Sequence, residues 1–516
     1  MTKTLWLAVV LGCAAVAAPA GTAQTPSGGA ESPASVEALA ARAAEGKAAM
    51  EAGRFDRAAE IYGELARAYP DDGGLQMNLG MARYMSGDPE AALAPLQQAV
   101  RVQPSLAPAS LFLGAALLDL GRTKDAVAPL ERAVKALPKN PDAREMLARA
   151  HLELGGPEHA ATHYRVLTRL APKSAKGWYG LARSYEAIAE HAFTTLQANH
   201  PESPLLVLLL ADVLVSEEKF ADALRLYREA LEGTPPVGGL HHAIAELYER
   251  AGKPDWAAAE LAGAKPRSPA ECKAHAAECE FLAGRFQAAL GAAMALSSPT
   301  GRYWTIRAAN RLATEALAQL EQLPPSRELH LIRAEMAQAR GRNHDAITEL
   351  RAALALEPGD PSTEAALAET LIRTRSFDEA LAILERLNKA YPGEASLLFL
   401  QGDALLQLQQ IDRAVPLLEQ AVAADPSSVR ARSSLGRAYV LAGRYEPALP
   451  HLLAASGEDE TGDVHYQLAR AYQALGRTDE AMQAMAEYQK RQAAQQPPGS
   501  SPSGTEEQAG RTLTPP

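Results

Sequence analysis

The side chains of this chain best spaced for metal chemistry are His151, His159 and His163. On a helix, positions 159 and 163 lie one turn apart, so two imidazoles share a face and could ligate a transition ion. The pattern secures no carboxylate and no third ligand, and a solvated helix face accounts for the pair equally well. His241-His242 is a weaker version of the same signal. Cys272 and Cys279 come next. On one continuous helix, seven positions place them about 10.5 Å apart along the axis, beyond the roughly 7 Å limit for a disulfide. Two packed thiols are therefore expected, unless the first turn after Pro269 is not helical. The flanking sequence has neither CxxCH nor zinc-finger spacing. There is no GxGxxG after a strand, no P-loop, no GxSxG elbow and no HExxH. No enzyme, metal or cofactor is expected.

The elements that carry these residues follow a 34-residue beat. Gly53, Gly87, Gly121 and Gly155 stand at equal intervals, each followed five positions later by Ala58, Ala92, Ala126 or Ala160. Pro70, Pro104, Pro138 and Pro172 complete each period, and Gly46, Gly80, Gly114 or Ala148 precedes each turn glycine by seven. The early small residue lets two helices approach, and the glycine ends the first helix in a left-handed turn. The alanine sits where the second helix meets the first, and the proline stops the second. A fixed period of this length means one helical hairpin stacked on itself.

These marks resemble the tetratricopeptide repeat, and Ala52-Gly-Arg-Phe-Asp-Arg-Ala-Ala-Glu-Ile-Tyr62 is close to that family's inter-helix signature. The beat returns at Phe220 with Ala223 and Tyr227, at Gly252, Gly284, Gly341, Gly443 and Gly476. At Phe377 and Ile411 it persists although Arg375 and Gln409 replace the turn glycine. The expectation is an all-α, right-handed superhelical solenoid of about fourteen antiparallel helix pairs.

Composition agrees. Hydrophobic residues make up 47% of the chain and aromatics only 5%, so the apolar content is chiefly alanine and leucine, which favour helix. No alternating β-branched pattern suggests a sheet. A charge of -11 with no basic stripe excludes a nucleic-acid binder.

The expected organisation is a secretory signal at 1–23, a disordered linker at 24–36 and regular repeats at 37–172. An irregular helix pair at 173–203 precedes three repeats at 204–298. A second irregular pair at 299–326 precedes five repeats at 327–494, the last with a capping helix, and a disordered tail covers 495–516. Lys3, the apolar run Leu5–Leu11 and the alanines up to Ala20 have the three regions of a bacterial export signal. Val10-Leu-Gly-Cys13 also resembles a lipobox, so membrane attachment is expected only if Cys13 is lipidated. The two irregular stretches correspond at a constant offset of 124, with Tyr179 and Tyr303, Ala189 and Ala313, and Leu196 and Leu320 in register. Neither contains the turn glycine, as a duplicated block would explain.

Binding remains as the function. In tetratricopeptide arrays the first helix of each unit lines a concave groove, and the resemblance places Asp212, Glu246, Glu278, Glu335, Glu369 and Asp403 at one position of that wall. It also places Met77, Met81, Tyr84, Met85, Leu111 and Leu118 in an apolar N-terminal stretch of groove. The expected partner is a protein or peptide segment, basic where it meets the carboxylates. The expected role is a non-enzymatic scaffold in the bacterial cell envelope. The alternatives are a structural part of an outer-membrane or exopolysaccharide secretion assembly, or a binder of glycans or small molecules.

Overall fold

The computed structural model describes residues 33–232, 238–264, 267–495 and 513–516. The expected signal segment lies outside them. Among the described residues the chain is helical with no strand, and it divides into two compact units that meet in sequence between Leu323 and Pro324.

Unit 1 begins with four helix pairs. They are α1 (Pro33–Glu51) with α2 (Phe55–Ala68), α3 (Gly73–Met85) with α4 (Pro89–Val102), α5 (Ala107–Asp119) with α6 (Thr123–Ala136), and α7 (Pro141–Glu153) with α8 (Pro157–Leu170). α1 takes in residues 33–36, so the helix starts inside the stretch expected to be linker. Each pair turns at the periodic glycine, with φ of 70, 92, 70 and 74° at Gly53, Gly87, Gly121 and Gly155. The small residue before the turn is needed for close approach: a Cβ on Gly114 would lie 2.5 Å from Leu130 Cγ.

The unit then departs from the beat. α9 (Ala175–Asn199) is one unbroken helix of 25 residues, and α17 (Pro299–Glu321) is another of 23. The irregular helix pairs expected at 173–203 and 299–326 are thus two single long helices. Between Gly180 and Pro201, and between Gly301 and Pro324, no glycine or proline interrupts the chain, so nothing ends the first helix where a turn would stand. The correspondence between them extends to their caps. Ser174 accepts from Gly177 N and Ser298 accepts from Gly301 N, each at 3.1 Å.

Between the long helices run α10 (Pro204–Ser216) with α11 (Phe220–Glu232), α12 (Leu240–Arg250) with α13 (Pro254–Gly263), and α14 (Pro269–Ala274) and α15 (Ala276–Leu282) with α16 (Phe286–Met294). α9 packs on α8 on one side and along α17 on the other, the most extensive helix contact among the described residues, while α17 also packs on α16. The repeats α10–α16 therefore leave from one long helix and return to its neighbour, closing a loop of helices within the unit. A contiguous core of alanines, leucines and tyrosines from Ala148 to Ala316 holds this loop together.

The expectation of free thiols fails here. Cys272 and Cys279 form a disulfide with a Cα separation of 5.7 Å. The first turn after Pro269 is helical, fixed by a capping box between Ser268 and Glu271, so the break is not where the sequence suggests. It falls at His275, with φ −117° and ψ 41°, which separates α14 from α15 and shortens the span between the sulfurs.

Unit 2 keeps the beat throughout. Its pairs are α18 (Arg327–Ala339) with α19 (Asn343–Leu356), α20 (Pro361–Arg373) with α21 (Phe377–Ala390), α22 (Ala395–Gln407) with α23 (Ile411–Ala424), α24 (Val429–Leu441) with α25 (Tyr445–Ala455), and α26 (Asp463–Ala474) with α27 (Thr478–Gln495). Arg375 and Gln409 take the left-handed turn without being glycine, at φ 60 and 59°. Of the tail expected from 495, residues 496–512 lie outside the described residues, and 513–516 lie against unit 1.

Candidate partner-binding chamber

Within unit 1, α9, α10, α11, α12, α15 and α17 line an open cavity of about 880 Å³. Its most apolar wall is α10, whose sequence Pro-Leu-Leu-Val-Leu-Leu-Leu-Ala-Asp-Val-Leu-Val-Ser is hydrophobic around the whole helix. One side of such a helix can pack on the core while the other is left for something else. Leu206, Leu210 and Val213 share that other face at helical spacing, while Leu209 beside them is buried in the core, and Phe193 of α9 and Leu317 of α17 also line the cavity. Leu210 is 52% exposed and Val213 50%.

The floor is polar. Arg307 of α17 is only 8% exposed, and its guanidinium lies 4.9 Å from the Phe281 ring centre and 5.6 Å from those of Tyr303 and Trp304. Its Nε is 3.2 Å from Asp212 Oδ2, and its Nη1 donates to Tyr303 Oη at 3.2 Å. Tyr227 donates a short hydrogen bond to the other Asp212 oxygen. Burial would lower the Arg307 pKa, but the Asp212 carboxylate, with Tyr303, Tyr227 and Glu246 behind it, outweighs burial and holds it above the ordinary arginine value. Burial also pushes the Tyr303 phenol up to about 12. The floor is thus a fixed cation held by aromatic faces and one carboxylate. Arg311 pairs with Glu246 nearby, and Glu186, Glu190 and Arg250 complete the charged lining. No histidine or cysteine lines the cavity. Half of the lining residues are apolar and seven are charged, so a ligand that fits the cavity would combine apolar and charged groups.

The carboxylates expected along one wall are mostly held by arginines. Besides Asp212 and Glu246, buried Glu278 receives two hydrogen bonds from Arg267, at 2.8 and 2.9 Å. In unit 2, Glu369 lies 3.1 Å from Arg373 and 3.2 Å from Arg430, and Asp403 lies 3.4 Å from Arg437. Glu335 is exposed on α18. A smaller cavity of about 320 Å³ in unit 2 carries Glu369 and Asp403 with Arg373, Arg375 and Arg430, so its charge leans positive. The two cavities belong to separate units, and the six carboxylates do not act as one row of uncompensated negative charge.

The apolar groove expected at the N-terminal repeats is core instead. Met77, Met81, Tyr84, Leu111 and Leu118 are buried in one hydrophobic cluster, and Met85 packs against it half-buried. The neighbouring repeat covers them: Tyr84 meets Phe112 edge-on at 5.7 Å and donates to Asp119 Oδ2 at 2.7 Å. The signal for the actual apolar surface is the run Leu205–Leu210, which a helix with only one buried stripe does not need.

The three histidines do come together. The His151 ring lies 5.2 Å from that of His159 and stacks on that of His163 at 5.6 Å. Burial, then the neighbouring His151, pushes His163 down to about 4. Among the described residues no group of three or more potential ligands is placed to hold a metal ion.

Solved structures similar to parts of this chain include two of MamA and one from Thermus thermophilus. MamA from Desulfovibrio magneticus RS-1, residues 41 to the end, is 22% identical over 33% of this chain and 96% of its own, with a TM-score of 0.29. MamA AMB-1 is 25% identical over 32% of this chain and 98% of its own, also at 0.29. TTC0263, a thermophilic tetratricopeptide protein of Thermus thermophilus, is 23% identical over 33% of this chain and 93% of its own, again at 0.29. No curated protein sequence matches the chain. Three models of the tetratricopeptide repeat match it along most of its length. The first covers 43–108, 86–141, 187–238 and 399–463, the second 117–184 and 337–400, and the third 462–495. With the 34-residue beat, the left-handed turns and the stacked helix pairs, these matches establish that the chain belongs to the tetratricopeptide repeat family.

Proposed function

We propose that this protein is a non-enzymatic interaction scaffold that seats a segment of a partner protein in the chamber of unit 1. The observation that carries this is the half-exposed Leu210 and Val213 on a helix whose opposite face is core, above a floor fixed by Arg307 and Asp212. A partner helix or extended segment with two or three apolar side chains would cover that wall and bury them at about 25 cal/mol per Å² of apolar surface. Four carboxylates and three guanidinium groups line the chamber, and a basic residue flanking the apolar ones would meet Glu190, which is exposed on α9.

Export to the bacterial cell envelope belongs to the same reading. It is supported by the apolar N-terminal run after Lys3 and by the Cys272–Cys279 disulfide, a bond that persists in oxidising compartments. Fractionation of cells expressing the full chain would recover it outside the cytoplasm, and a wholly cytoplasmic pool would refute this part.

The binding reading is tested by Leu210→Asp with Val213→Asp in the full chain, against Val207→Asp as control. Val207 is exposed on the same helix but does not line the chamber. Capture of the partner is expected to drop at least about tenfold in the double variant, the loss of about 1.4 kcal/mol of binding, and to survive in the control. Equal capture by all three would remove the chamber as the binding surface.

A further inference from the structure

Outside the chamber, one surface of unit 1 already holds a peptide. Residues Leu513–Pro516 lie against α11 and α12. Arg228 of α11 donates through Nη1 to Thr514 Oγ1 at 3.0 Å and through Nη2 to the Pro515 carbonyl at 2.9 Å. The Tyr248 hydroxyl of α12 donates to the Thr514 carbonyl at 2.8 Å while accepting from Arg228 Nη2 at 3.0 Å. Leu513 packs half-buried against the hydrophobic core of the unit. Neither Arg228 nor Tyr248 lines the chamber.

The fit is chemical as well as geometric. The surface offers the segment only donors, a guanidinium fork and a phenol. Thr514 and Pro515 offer the surface their carbonyl acceptors, and Pro515 and Pro516 have no N–H. A residue that precedes proline is driven to extended backbone, so Thr514 and Pro515 are restricted before they bind and lose little freedom on binding. The donors are also restricted. Tyr248 is held edge-on by Trp256 at 5.6 Å, and the Arg228–Tyr248 hydrogen bond aims both groups at the segment. This is the logic of proline-segment recognition on a rigid aromatic and basic surface.

We propose that the Arg228–Tyr248 surface is a recognition site for an extended Leu-Thr-Pro-Pro segment, occupied in cis by Leu513–Pro516 of the same chain. The tether gives the tail a high local concentration, so the same segment offered in trans meets a covered site until the tail is released.

The test uses the full chain and a fluorescein-labelled peptide of residues 511–516, read by fluorescence anisotropy. One variant disables the tail, carrying Leu513→Asp and Pro515→Ala. A second adds Tyr248→Phe, which keeps the ring packed on Trp256 and removes only the hydroxyl. The tail variant is expected to bind the peptide at least about tenfold more tightly than the natural chain, the difference expected when a tethered competitor is removed. Tyr248→Phe is expected to reverse most of that gain. Equal binding by the natural chain and the tail variant, absence of binding in the tail variant, or indifference to Tyr248→Phe would each overturn the proposal. A natural chain that forms dimers dissociated by the peptide would overturn the cis assignment, because the occupant would then be the tail of a second copy.

Discussion

The phenol of Tyr185 donates a hydrogen bond to Gln287 Oε1 at 2.7 Å across 102 positions of sequence. Tyr185 sits on α9 and Gln287 on α16, so the bond ties the start of the looped repeats to their end. With α9 packed along α17, it makes the stretch from 175 to 321 a body bounded at both ends by a long helix. Closure has a cooperative consequence. Leu196→Ala, at a fully buried position of α9, is expected to cost about 2–5 kcal/mol. Native-state hydrogen exchange should show that loss spread over α10–α16 as well as α9. Loss of protection confined to α9 would mean that the loop is not a cooperative unit.

Arg307 and Asp212 form the second long-range tie. Arg307→Met alone leaves the Asp212 carboxylate without its cation at the chamber floor, and because that carboxylate is 26% exposed and keeps its hydrogen bond from Tyr227 the expected destabilisation is about 1–3 kcal/mol. Adding Asp212→Asn removes the orphaned charge and should recover a good part of that loss. A double-mutant cycle by urea unfolding measures the coupling, which is expected to exceed about 1 kcal/mol.

The histidine stack makes stability depend on pH. His163 is pushed down to about 4 from an ordinary 6.5, chiefly by burial and then by His151, Arg144 and His159. Between those values the unfolded chain binds a proton that the folded chain refuses, so stability falls as pH drops from 6.5 to about 4 and then levels off. His163→Gln should flatten this slope, leaving the smaller dependence due to His151, His242 and His451, whose pKa values burial also lowers. Urea midpoints at a series of pH values would show the difference. Superimposable profiles for the two proteins would contradict it.

The disulfide predicts that Cys272 and Cys279 resist alkylation in denaturant until a reductant is added, after which both react. Peptide mass mapping with and without reductant distinguishes this from two free thiols. Reduction is expected to remove about 2–3 kcal/mol of stability by the chain-entropy model for a short loop.

The regular part of this fold is legible in the sequence because each mark has a local cause. The turn position needs a left-handed residue, and the beat locates it even where Arg375 and Gln409 stand in for glycine. The long helices are legible only as a matched irregularity at offset 124. That each is a single helix follows from the absence of breakers, but that they pack on each other is a contact between distant residues with no local mark. The site is harder to read. The repeat pattern places the carboxylates, whereas their partners Arg307 and Arg311 stand on α17, and Arg267 stands before α14, where the pattern does not reach. Repeat position alone puts Met77 and Met81 in a groove, yet the adjacent repeat covers them.

The chamber as the seat of a partner segment is tested most directly by a photo-crosslinking residue at position 210, with position 441 as reference. Leu210 is 52% exposed in the chamber of unit 1, and Leu441 is 45% exposed on α24 of unit 2. Irradiation of cells expressing each full-length protein should give a discrete polypeptide adduct from position 210, lost when Val213→Asp is added, and none from position 441. No adduct at 210, or the same adduct from both positions, would contradict the account.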